Sequence, residues 1–99
     1  MKFKFDCGTG TWLEGKALAV INPKARYTEP NSSYQIVEAQ KVEADMEKMN
    51  EAMKEISLIG GSSDEYLFDQ DKFDRLKDYL RDRGEVVEES NSKIVVEEK

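Results

Sequence analysis

The sequence contains no histidine, one cysteine, one tryptophan and two prolines in 99 residues. Without histidine there is no Ser-His-Asp or Cys-His nucleophile and no His-ligated metal site. A lone Cys7 cannot close an intramolecular disulfide, which fits a reducing compartment, and a cytoplasmic location is expected. Cys7 has no neighbouring base to activate its thiol, so it reads as a small apolar residue at the end of a strand. No apolar run approaches the roughly 20 residues of a membrane span. Met1 to Asp6 alternates charged and aromatic residues, unlike a signal peptide.

Charge is plentiful. Twenty-one acids against 15 bases leave a net charge of −6, and charged residues make up 36% of the chain. The excess is uneven. Residues 1–31 carry a net +2 and residues 32–99 a net −8. Nucleic-acid affinity comes from neutralising phosphates, and this balance opposes it. An acidic body attracts basic protein surfaces instead. Leu, Ile, Val and Phe total 22 residues, enough for one modest core, so a single domain over 1–99 is expected.

Lys2-Phe3-Lys4-Phe5-Asp6 alternates with the period of a half-buried strand. Gly8 to Thr11 reads as a turn, and Lys16 to Ile21 as a short strand stopped at Asn22-Pro23. Residues 23–33 read as loop. Residues 34–40 read as strand because Ile36 and Val37 are β-branched, with a helix capped by Ser32 and Gln35 as the alternative. From Val42 the apolar spacing is helical: Val42, Met46, Met49, Met53 and Ile56 mark one stripe. Gly60 and Gly61 end that helix. Asp69 is an N-cap for a helix over roughly 70–83, Phe68 and Phe73 have the spacing of a hydrophobic staple, and Gly84 follows as a C-terminal glycine. Residues 85–88 and 93–97 flank a Ser90-Asn91-Ser92 turn as a hairpin. No internal repeat is evident. The expected fold is α+β: a small, mainly antiparallel sheet with two helices on one face, in the order β-β-(β)-α-α-β-β.

The chemical motifs fail on inspection. Gly10 to Lys16 approaches a phosphate-binding loop, but Ala17 stands where a Ser or Thr must hold Mg²⁺. A glycine-bearing hairpin connection, with a turn at Glu14-Gly15, accounts for these residues instead. Asp69 to Asp74 begins like a calcium loop, but Phe73, Asp74 and Leu80 occupy positions that need an oxygen ligand, Gly and Glu. Helix capping accounts for these acids. No carboxylate pair is singled out for acid–base work. The expectation is no catalytic residue, no cofactor and no metal, hence no enzyme.

What remains is a surface. Glu43, Glu47, Glu51 and Glu55 form an expected carboxylate ridge along the Met-striped helix, with Asp64, Glu65, Asp69, Asp71, Asp74 and Asp78 beyond it. Trp12, Tyr27 and Arg26 form an aromatic, cationic cluster with the composition of interface anchors. The leading expectation is a non-catalytic protein-binding or regulatory module whose partner has a basic groove, with no direct nucleic-acid binding and no membrane association. One alternative is an acidic inhibitor from a phage or mobile element that mimics nucleic acid to block a host nuclease or defence complex. The other is a homodimeric structural subunit built on the methionine stripe or the C-terminal edge strand.

Overall fold

A computed structural model describes residues 1–6, 11–22, 24, 26–31, 34–60 and 67–99, with side chains described for all but 11–13, 26–31 and 56–60. The fold is α+β. It contains β1 (Lys2–Asp6), α1 (Thr11–Ile21), β2 (Arg26–Asn31), β3 (Tyr34–Glu38), β4 (Lys41–Asp45), α2 (Met46–Gly60), α3 (Gln70–Arg83), β5 (Glu85–Glu89) and β6 (Lys93–Glu97). The strands form two three-stranded antiparallel sheets, ordered β1-β3-β2 and β4-β6-β5, where one sheet was expected.

Three segments differ from expectation. Residues 11–21 are helix, not turn and strand. Ala17 and Leu18 are fully buried, and Ala and Leu are strong helix formers. Gly15 is not a turn residue either. A Cβ there would stand 2.7 Å from Cδ2 of Phe5, so glycine lets α1 lie close on β1. Residues 26–31 form an edge strand that tolerates Pro30 because it pairs on one side only, and its register shifts between Thr28 and Asn31. Residues 41–45 are strand, with Val42 and Ala44 buried in alternation. The four-residue step from Val42 to Met46 therefore crosses a strand–helix junction. Helix α2 begins at Met46, where the Asp45 carboxylate accepts the Lys48 N–H at 3.1 Å.

Helix α3 and the hairpin follow the sequence reading. Asp69 accepts the Lys72 N–H at 2.8 Å, and the Phe68 and Phe73 rings meet edge-on at 6.2 Å. Gly84 departs in its reason. Its φ of −149° is ordinary extended backbone. It must be glycine for space, since a Cβ would lie 2.7 Å from the Glu97 carbonyl oxygen and 2.8 Å from Met1 Sδ.

The two sheets belong to two copies of one topology. Each unit runs strand, helix, strand, strand, with the last strand in the centre, and the second unit inserts α3. The registers match position by position. Lys2↔Glu38, Phe3↔Val37 and Asp6↔Tyr34 correspond to Lys41↔Glu97, Val42↔Val96 and Asp45↔Lys93. The cross-strand ion pairs repeat too, Lys2–Glu38 at 3.9 Å and Lys41–Glu97 at 4.0 Å. Both outer third strands carry a register shift. The reading of no internal repeat is thus corrected at the level of topology.

The units close each other's sheets. The outer edge of β1 exposes the N–H and C=O of Lys4, and the Tyr79 hydroxyl from α3 accepts from the first at 2.9 Å and donates to the second at 2.8 Å. The equivalent residue of β4 is Glu43. There Asn22, at the end of α1, accepts the N–H at 2.9 Å and donates to the C=O at 2.8 Å. An open strand edge invites foreign pairing, and each is plugged at its centre by a side chain from the other unit. One buried cluster then joins Phe3, Phe5 and Val37 to Val42, Ile94 and Val96 through Leu18, Met49, Met53, Phe73 and Leu80. No described helix is long and apolar enough to cross a membrane.

Candidate functional site

The expected carboxylate ridge is one residue shorter than the sequence suggests. Glu43 lies on β4, where its carboxylate takes an ion pair from Lys93 at 3.2 Å. Lys93 also reaches Glu88 at 3.6 Å, so one ammonium bridges all three strands of the second sheet. These side chains lie on the same face as Val95, which is buried outside the main core. The hydrogen bond to Glu43 is the main reason the Lys93 ammonium holds its proton more tightly than usual.

Glu47, Glu51 and Glu55 remain on α2, exposed and one helical turn apart. Among the described residues none of the three has an ion pair. The acids of α3 are different. Asp69 caps the helix. Asp74 pairs with Lys77 at 3.4 Å, and its carboxyl is held below the usual range, chiefly by a hydrogen bond from Gln70. Asp78 pairs with Arg81, which also binds Glu89 through Nε at 3.1 Å. Asp71 is exposed in the first turn, where a negative charge suits the helix dipole. Asp64 and Glu65 lie outside the described residues. So do the side chains of Trp12, Tyr27 and Arg26, whose backbones fall in α1 and β2.

The methionine stripe is core. Among the described residues, Met49 and Met53 are buried and Met46 is half-buried, so the stripe faces the core. Met46 also borders an open cleft of about 510 Å³ at the start of α2, with Asp45, Glu47, Asn50, Glu51, Lys54 and Ser92. The hairpin turn forms its far wall, fixed by the Met46 N–H donating to the Ser92 carbonyl at 2.8 Å. On its other flank, Gln70 donates to the Asn91 carbonyl at 2.8 Å, which ties the turn to α3. Three carboxylates and one lysine border this opening, a setting for a cationic side chain.

A second cleft was not foreseen. It has about 400 Å³ between β1, α1 and α3, and Phe5, Glu14, Lys72, Arg75, Leu76 and Tyr79 line it. Burial pushes the Glu14 carboxyl above its usual range, against the pull of Arg75 and then Lys72. Glu14 and Arg75 lie on separate helices, one of which the sequence reads as turn and strand. The one sequence signal available was the spacing of Lys72, Leu76 and Tyr79 along a single helix. The near-miss phosphate motif contributes nothing comparable, since Lys16 sits within α1 and no glycine loop precedes it as a cradle among the described residues.

No family model, no curated protein and no solved structure matches this chain. The site chemistry therefore stands on its own residues.

Proposed function

We propose that the protein is a non-catalytic binding module that docks a basic protein surface onto the exposed side of α2 and the cleft at its start. One observation carries this reading: Glu47, Glu51 and Glu55 form a row with no ion pair among the described residues, while Asp69 caps α3 and its Asp74 and Asp78 are paired. Unpaired, solvated carboxylates steer a cationic partner and have no ion pair to break when it arrives. The geometry of the row favours a second, narrower reading. Carboxylates at every fourth residue of a helix stand about 6 Å apart along its axis. Such a line of negative charge suits a groove that ordinarily holds a nucleic-acid strand, as an acidic decoy would. Pairing of two copies through β5 has less support. Antiparallel pairing centred on Val87 would set Glu85 against Glu89 and Val86 against Glu88.

The test is capture of binding proteins from a cell lysate by the tagged chain, washed at about 0.1 M and about 1 M salt, where the Debye length falls from roughly 10 to 3 Å. Three baits are compared: the native chain, the double variant Glu47→Lys/Glu51→Lys, and the control Asp82→Lys on α3. A partner that is released at high salt, lost by the double variant and kept by the control supports the reading. Equal capture by all three baits refutes it.

A further inference from the structure

The cleft between β1, α1 and α3 has the features of a small-molecule site, and the acidic surface does not use it. Its floor is apolar, made by Phe5, Leu76 and the Tyr79 ring. That ring is fixed: its hydroxyl is committed to both polar groups of Lys4, it packs against Phe5 at 5.5 Å, and the Arg83 guanidinium lies 4.6 Å from its centre. At the rim are two cations, Lys72 and Arg75, and the half-buried carboxyl of Glu14. Arg75 is exposed and makes no hydrogen bond or ion pair with the described residues, so its planar fork of donors is available to an oxyanion. A volume of about 400 Å³ suits a small molecule better than a polymer.

We propose that this cleft binds a small organic anion with an aryl or short alkyl body, its acid group at Arg75 and Lys72 and its body over Phe5, Leu76 and Tyr79, with Glu14 taking up a proton as the anion enters. The charges at the opening set the sign. Lys72 and Arg75 from α3 favour the ligand, Glu14 from α1 repels it when ionised, and Lys4 and Asp6 of β1 edge the same opening. Lys4 directs its ammonium to the Tyr34 ring, at 4.7 Å, on the other face of the sheet from Phe5. Asp6 alternates with Phe5 and shares the face of Lys4, so Glu14 is the carboxyl whose charge opposes the anion inside the cleft. Burial already favours its neutral form, and a protonated Glu14 offers the ligand a donor in place of a repulsion. Binding is then tighter at low pH.

The experiment uses the full chain and 2-phenylethanesulfonate, an anion whose charge does not change with pH, followed by amide chemical shifts. Saturable shifts are expected around Glu14 and along Lys72 to Tyr79, with affinity several-fold higher near pH 5 than near pH 8. Neutral 2-phenylethanol and the variant Arg75→Gln should each bind at least about tenfold more weakly. Glu14→Gln should bind equally at both pH values. No saturable shift up to about 10 mM, equal affinity for the neutral alcohol, undiminished binding by Arg75→Gln, or pH-independent binding by the native chain would each overturn the proposal. Arg75 is exposed, so its replacement is expected to leave the fold intact, and the native amide spectrum verifies that. The α2 charge-reversal variants should bind the sulfonate normally, which separates this site from the protein-docking surface.

Discussion

Replacing Gln35 should stabilise the protein. It lies in β3, wholly buried, and among the described residues neither its amide nitrogen nor its oxygen has a hydrogen-bond partner. Its cross-strand neighbour is Phe5. The matching position in the second unit pairs with Ala44 and is Ile94, an apolar residue in the main core. Burying an amide without partners costs roughly 1–3 kcal/mol by mutational measures. Methionine has nearly the shape of glutamine without the polar atoms, so Gln35→Met should recover most of that cost, about 2 kcal/mol. For a domain of this size the midpoint of thermal unfolding should rise by roughly 8–16 °C. The converse change, Ile94→Gln, should lower stability by at least about 2 kcal/mol. Calorimetry and urea unfolding measure both, and an unchanged urea slope would show that the denatured state is not the cause. A destabilised Gln35→Met would refute the reasoning, because the amide must then have a partner whose loss outweighs the desolvation.

Three further predictions concern the joints of the fold. Tyr79→Phe keeps the ring but removes both bonds to Lys4, and should cost about 1 kcal/mol and speed hydrogen exchange at the Lys4 amide. Asn22→Ala loses the side-chain bond to Leu18 and both bonds to Glu43, and should cost about 2–3 kcal/mol in chemical denaturation. Gly84→Ala forces a methyl group against the Glu97 carbonyl and Met1, and should cost roughly 1–3 kcal/mol, with the shift visible in the amide signals of β6. Glu14 is held above its usual carboxyl range, so the native state binds its proton more tightly than the unfolded state. Stability from this group is present at acid pH and is lost as pH rises through the folded value. Glu14→Gln should therefore unfold at a higher temperature than the native chain near pH 8, with the difference shrinking below about pH 4.

The elements that the sequence announces are those whose local chemistry agrees with their tertiary role. Helix α3 has its cap, its staple and a clean apolar face in Phe73, Leu76 and Leu80, and it forms where expected. The hairpin of β5 and β6 is equally plain. Helix α1 was missed because Gly15 serves packing rather than a turn. Strand β4 was missed because Val42 happens to fall at helical distance from Met46, so two periods overlap in one run. The repeat hides for a different reason. Lys2-Phe3-Lys4-Phe5-Asp6 and Lys41-Val42-Glu43-Ala44-Asp45 share their ends and their apolar positions, but what makes them equivalent is pairing register, which no residue string displays. Of the candidate surface, the α2 row was visible as spacing. That Glu43 leaves the row follows from β4 and its cross-strand ion pair with Lys93, whereas Asp74 and Asp78 are paired locally, three residues from Lys77 and Arg81. The Glu14 cleft needed three elements to converge.

The mutual plugging of the two units has an unequal consequence during synthesis. Asn22 leaves the ribosome before β4 exists, so the edge of the second sheet can be covered as soon as it forms. Tyr79 comes long after β1, β2 and β3 are complete. For the interval in which roughly forty further residues are added, a few seconds at ordinary elongation rates, the first sheet has a bare strand bearing Phe3 and Phe5. The nascent first half is thus the species most exposed to misassociation, and anything that slows translation between β3 and α3 prolongs its exposure.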